Sequence, residues 1–123
     1  MPWTEGRVKA FITSVLRAGA RKWPPRYTTL HNAKIGKKIN ERTGRIAEHY
    51  RCNVCKGDYP AKEVEVDHKD PVIDPRKGFV SWDVYIERLF CPEENLQVLC
   101  KPCHLKKTNN EKAMVLHKKK GVK

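Results

Sequence analysis

The sequence predicts a small α+β domain, its short strands and helices held together by a metal ion more than by an extensive core. Three observations carry this. Apolar residues recur at helical spacing over residues 8–16 and 82–90 and alternate with charged residues over residues 63–68, so both periodicities occur in one chain of 123 residues. A chain of that length fits one compact domain and buries only about two-thirds of its unfolded surface, which leaves a thin core. Four of the five cysteines form two identical pairs, Cys52-x-x-Cys55 and Cys100-x-x-Cys103, the spacing with which two knuckles clasp one tetrahedral zinc.

The elements follow in order. From Thr4 to Trp23, Val8, Phe11, Ile12, Val15 and Leu16 fall at helical spacing with Arg7, Lys9, Arg17, Arg21 and Lys22 largely opposite, which predicts an amphipathic basic helix. Pro24 and Pro25 are expected to stop it, since proline lacks the amide hydrogen and excludes the residue before it from helical geometry. A second, shorter helix is expected over residues 29–42, with Leu30, Ile35 and Ile39 as sparse apolar positions and an end at Gly44. Residues 1–45 thus read as a basic helical arm and 46–123 as the zinc-stapled core, within one compact unit.

Tyr50 to Lys56 reads as a strand entering the first knuckle, and Gly57-Asp58 as the turn after it. Glu63-Val64-Glu65-Val66-Asp67-His68 alternates with period two, which predicts a half-buried strand ending at Asp67 and His68. Residues 71–78 read as loop. Ser81 is placed to cap a short helix bearing Trp82, Tyr85, Ile86, Leu89 and Phe90, a stripe read as core rather than as a base-stacking surface. Leu96 to Leu99 is a second strand and Pro102 to Lys119 a final helix, with Lys118-Lys119-Lys120 a frayed basic end.

The net charge of +12 is unevenly distributed. Residues 1–51 carry twelve Lys/Arg against three acids, residues 52–99 six against ten, and residues 100–123 eight against one. Two basic segments flank an acidic centre, and a partner with a dense line of negative charge would neutralise them by counterion release. Nucleic acid fits that description better than an anionic membrane. Arg17, Arg21, Lys22, Lys34, Lys37 and Lys38, with Lys106 and Lys107 after the second knuckle, are the candidate contacts. No signal peptide and no apolar run of the roughly 20 residues a membrane span needs is found, so a reducing cytoplasm is expected, where paired CxxC units favour metal over disulfides. Cys91 is left over and reads as a buried thiol.

Three segments carry candidate chemistry: Val66-Asp67-His68, Glu94-Asn95 with the strand after it, and Cys103-His104 opening the final helix. An Asp-His pair, or a His beside a CxxC, is by itself most often structural. Together, in this order, they favour a catalytic site. A neutral imidazole such as His68 can take a proton from water, while Asp67 and His104 offer one oxygen and one nitrogen to a divalent ion. His31 and His117 match no part of the pattern, and His49 lies near enough to the first knuckle to be considered for a phosphate contact.

This arrangement closely resembles the HNH nuclease family, which joins an Asp-His at a strand end to an Asn before a second strand and a Cys-His at a helix start. The resemblance covers residues 52–108. It implies a ββα-metal core and a metal-dependent DNA endonuclease with His68 as general base, Asp67 and His104 on a catalytic Mg²⁺, Mn²⁺ or other divalent ion, and zinc as structural staple. Asn95 would either orient the base or ligate the ion. Thr108 stands where relatives often carry a further His or Asn, and the interval from His68 to Asn95 is longer than the family's minimal form. The resemblance further implies duplex DNA, intact, nicked or branched, as substrate for a monomer or weak dimer. It is closest to small free-standing bacteriophage proteins that act in host cytoplasm as homing-type nucleases or beside the DNA-packaging machinery. The competing readings are a non-catalytic zinc module that binds nucleic acid and a zinc-stapled protein-interaction module.

Overall fold

The computed structural model describes the backbone of residues 2–121 and side chains through residue 115; residues 118–120, expected as a frayed end, lie within a helix that runs to Gly121, and the side chain of His117 lies outside the described residues. Helix α1 spans Glu5–Ala20, capped by the Thr4 hydroxyl, which accepts from the Arg7 amide at 3.2 Å. Helix α2 spans Pro24–Asn32, so the two prolines open a helix as well as end one. At a helix start the missing amide hydrogen has no intrahelical partner to lose and the fixed φ is already helical.

The expected helix over residues 29–42 is not formed. Helix α2 stops at Asn32, and Lys34–Ile39 is strand β1, paired antiparallel with β2, Ile46–Arg51. Ile35 and Ile39 stand four apart and mimic a helical stripe, but Gly36 sits at φ +124°, beside a register shift. The ladder Lys37↔Glu48, Lys38↔Ala47, Ile39↔Ile46 decides the conformation, and local periodicity does not see a partner across a turn. The strand expected over Tyr50–Lys56 is likewise displaced. It ends at Arg51, the knuckle itself is turn, and Asp58, expected in the turn with Gly57, begins strand β3, Asp58–Pro60.

Strands β1-β2-β3 form one antiparallel sheet. A separate two-stranded antiparallel sheet joins β4, Val64–His68, to β5, Leu96–Cys100. Between those strands lies α3, Trp82–Leu89, capped by the Ser81 hydroxyl as expected. Helix α4, Lys101–Gly121, follows β5 without an intervening loop.

Three clusters make the core. Ala20, Val72, Tyr85 and Leu89 pack with Leu16, Phe79, Trp82 and Phe90, tying α1 to α3, while Ile86 from the same apolar stripe stays exposed. Tyr50, Val64 and Val98 pack with Leu30 of α2 and with Ala33 just after it, so α2 covers both sheets. Cys52, Leu99 and Cys100 form the third with Tyr59 and Cys103. Trp23 adds a hydrogen bond from its indole N–H to the Cys91 carbonyl at 2.7 Å, and the Cys91 side chain is buried. The first 45 residues thus supply a helix and a strand to the packed body beside α1. No helix among the described residues is long and apolar enough to cross a membrane.

Candidate functional site

The cysteines converge from the two sheets. Cys52 follows β2, and the chain turns back through Lys56 at φ +61°, with Lys56 N–H donating to the Cys52 carbonyl and Cys52 N–H to the Gly57 carbonyl, each at 3.0 Å. A Cβ at Gly57 would stand 2.8 Å from the Tyr59 hydroxyl, so a larger residue there would displace the Tyr59 ring. Cys100 ends β5 and Cys103 lies in the first turn of α4. The four sulfurs all lie within 4.8 Å of one another, and Cys55 Sγ is 3.9 Å from Cys100 Sγ. Zinc–sulfur bonds of about 2.3 Å in a tetrahedron separate the sulfurs by about 3.8 Å, so the set could hold zinc. No pair is a disulfide.

Their electrostatics agree with a metal site. Burial alone would raise the Cys52 thiol, but the backbone amides of Cys100, Cys55 and Val54 draw it down to about 6. Cys103 is pushed up to about 12, by the Cys100 sulfur first and burial second. Four thiolates this close repel one another unless a cation stands among them.

The second cluster lies on β4, β5 and the start of α4. Strand alternation places Glu65 and Asp67 on the face toward α4, with Val64 and Val66 on the face that packs under α2. His104, one residue past Cys103, sits between the two acids. Its Nε2 is 3.7 Å from Asp67 Oδ1 and its Nδ1 is 3.1 Å from Glu65 Oε2. Lys107, one turn further on, brings Nζ to 3.1 Å from Asp67 Oδ2 and 3.0 Å from Glu111 Oε2. Burial works against the charge on Lys107, but Glu111 and Asp67 outweigh it and raise its pKa. Asp67 Oδ2 is nevertheless buried without a hydrogen bond.

His68 ends β4, with Nε2 at 3.0 Å from the Leu89 carbonyl at the end of α3. A carbonyl can only accept, so Nε2 carries the hydrogen and Nδ1 keeps its lone pair. Burial lowers the His68 pKa, as do the charges of Arg26 and Arg17, against an upward pull from the Leu89 carbonyl and Asp67. Asn95 clamps the chain leaving β4: its backbone carbonyl accepts from Lys69 N–H at 2.7 Å, and its side-chain Oδ1 from Asp70 N–H at 3.0 Å.

The structure therefore brings Asp67 and His104 together, sets His68 next to Asp67 in sequence with its ring anchored on the end of α3, and ties Asn95 to the residues just after His68. Glu65, Lys107 as an inward-facing partner, Glu111 and the Leu89 carbonyl were not foreseen. Glu65 stands two residues before Asp67 and Lys107 three after His104, a strand spacing and a helix spacing that could have found them; a backbone carbonyl leaves no such mark. Thr108 lies half-buried on α4. Arg17, Arg21, Lys22, Lys34, Lys37, Lys38 and Lys106 are exposed, although Lys38 pairs with Asp58 at 2.7 Å. His49 is buried, with Nδ1 at 2.8 Å from the Ala47 carbonyl, and does not offer the surface contact considered for it.

A cleft of about 800 Å³ opens between the first knuckle, the loop after β4 and α4, lined by Lys69, Asp70, Arg76, Lys106 and Lys107 among others. Asp67, His68 and His104 do not line it, and it meets their cluster through Lys107. Among the described residues, the four cysteines are the only group of three or more His, Cys, Asp or Glu side chains whose ligand atoms gather this closely. Asp67 and His104 supply two donors, and the buried Oδ2 of Asp67 has Lys107 Nζ as its neighbour at 3.1 Å. Comparison with protein-family models, with curated proteins and with solved structures finds no match to this chain.

Proposed function

We propose that the chain is a metal-dependent DNA endonuclease of the HNH type, with a ββα-metal core formed by β4, β5 and the start of α4. The observation that carries this reading is the placement of His104 Nε2 at 3.7 Å from Asp67 Oδ1, on the residue next to an imidazole whose Nε2 is anchored on a backbone carbonyl. The donor set fits a divalent ion: one carboxylate oxygen and one imidazole nitrogen, leaving room for phosphate and water. Such an ion, held by Asp67 and His104, would offset negative charge on the scissile phosphate and leaving oxygen.

The chain's own groups do the rest. His68 Nδ1 accepts a proton from the attacking water, whose oxygen bonds to phosphorus as the bond to the 3′ oxygen breaks, leaving 5′-phosphate and 3′-hydroxyl ends. The Leu89 carbonyl fixes the ring, and Asn95 holds the following residues in place, the orienting role rather than a ligating one. The test is relaxation of supercoiled plasmid with Mg²⁺, Mn²⁺ or EDTA, comparing the native chain with His68→Ala while DNA binding and zinc content are followed. Cleavage that needs a divalent ion and His68 supports the reading.

One observation favours a second reading, a zinc-stapled nucleic-acid-binding module. Lys107 already faces Asp67 and Glu65 already faces His104, so these charges have protein partners without an ion. A native chain that binds DNA but cleaves neither plasmid, single-stranded nor branched DNA with any of several divalent ions would decide for it.

A further inference from the structure

The β1–β2 ribbon ends in a tip that no part of the catalytic argument uses. Its loop is built rather than loose. Asn40 N–H donates to the Arg45 carbonyl and Gly44 N–H to the Asn40 carbonyl, each at 2.7 Å, and the Asn40 side chain accepts from Arg42 N–H at 3.0 Å. Gly44 takes φ +74°, open to glycine without strain. With the backbone so satisfied, the tip presents side chains. Ile39 and Ile46 stand directly opposite each other in the ladder, 63% and 70% exposed. They share the β2 face that is buried at Tyr50, with the charged residues Lys37 and Glu48 between, so the isoleucines form an isolated apolar pair at the solvent end of that face. Arg42 and Arg45 are exposed beside them, and among the described residues neither makes an ion pair.

An exposed isoleucine pair costs solvation and invites aggregation at a sheet end unless something covers it. The flanking charge selects the occupant. Lys37 stands opposite Glu48 and Lys38 pairs with Asp58, which among the described residues leaves Arg42 and Arg45 as the free cations beside the pair against Glu41, so the complement is an anionic partner with apolar surface between its charges. A duplex major groove, about 12 Å wide, admits a two-stranded ribbon and presents thymine methyl groups between two lines of phosphate. We propose that the β1–β2 tip enters the major groove of duplex DNA, with Ile39 and Ile46 against base edges and Arg42 and Arg45 on phosphates. This rests on the nucleic-acid-binding part of the proposed function and is independent of cleavage.

Fluorescence anisotropy with a duplex oligonucleotide, across a series of salt concentrations, tests it. Arg42→Ala/Arg45→Ala should flatten the log-log salt dependence by about 2, close to 0.9 for each phosphate left without its arginine. Ile39→Ala/Ile46→Ala should weaken binding with the slope unchanged, because an apolar contact releases no counterions. Methyl green, which occupies the major groove, should compete, and netropsin, which occupies the minor groove, should not. All four side chains are exposed, so zinc content and melting temperature should stay at native values in both variants. An unchanged slope in the arginine variant, or competition by netropsin alone, would overturn the inference. So would a dimer in sedimentation that the isoleucine variant dissolves while DNA affinity holds. A native chain with no affinity for DNA would instead remove the reading on which the inference rests.

Discussion

The His68 ring is held by a carbonyl and partly shielded from water, and the two effects have separable consequences. Burial, the largest influence, keeps its pKa below the ordinary imidazole value, so the neutral form needed to accept a proton persists into mildly acidic solution. The pH profile of kcat/KM should therefore be flat near neutrality and fall on the acid side only below about 6.5. The same shift means that the unfolded chain binds this proton more readily than the folded one. The linked stability is complete above about pH 6.5 and is lost as pH falls through the lower folded value, which urea denaturation at several pH values would reveal. His68→Ala should cost on the order of 10² to 10⁴ in cleavage rate with DNA affinity retained, as single-turnover cleavage and anisotropy would measure. Tyr85 supplies a different check. Its ring is 2% exposed and its hydroxyl has no hydrogen-bond partner, so Tyr85→Phe should leave stability unchanged or raise it by about 1 kcal/mol in chemical denaturation. At this scale the sequence was informative about side chains whose chemistry is unusual, such as Asp67, His68 and His104. It was silent about the Leu89 carbonyl, because any residue at that position would offer one.

Among the elements, α1 has two characters. Its Leu16 and Ala20 enter the cluster around Tyr85 and Leu89, while Val8, Phe11 and Val15 face solvent. An amphipathic pattern fixes that a helix forms and not which of its apolar residues find a neighbour. Deleting residues 1–23 should accordingly lower the melting temperature as well as weaken DNA binding, since it removes the Trp23 bond to Cys91 along with the charges. Leu16→Ala alone should cost about 1 to 3 kcal/mol, below the full range for a buried leucine because the side chain is only partly covered. The alternation at residues 64–68 was legible because one face of β4 meets the α2-covered core and the other does not. Strand β1 was not, because the ladder with β2 across the turn and a glycine of positive φ override an i, i+4 isoleucine pair.

For the whole molecule the decisive fact is that the two sheets share no strand pairing. They are joined by α2, by the amide of Asn53 donating to the Val98 carbonyl at 2.8 Å, and by the sulfurs, two from each side. Zinc binding by cysteine-rich knuckles supplies about 10 to 16 kcal/mol, as much as the whole stability of a typical domain. Chelation, or Cys100→Ser, should therefore unfold the chain and not merely soften it, as circular dichroism alongside metal analysis would record. A zinc-free chain with an unchanged melting point would contradict this. The paired CxxC spacing made the convergence of the four cysteines readable before any fold was known; the division into two sheets depends on pairing partners that no local pattern encodes.

Of the four sulfurs, Cys52 and Cys100 are buried while Cys55 is exposed, with the Tyr59 hydroxyl 3.3 Å from its Sγ. A thermodynamically tight site can still be kinetically open at one corner. An incoming chelator or electrophile would reach Cys55 first, so zinc would depart by stepwise ligand exchange from that side, without waiting for global unfolding. Release into a colorimetric chelator should then rise with chelator concentration instead of levelling at the unfolding rate. Tyr59→Phe, which strips the guarding hydroxyl, should quicken it.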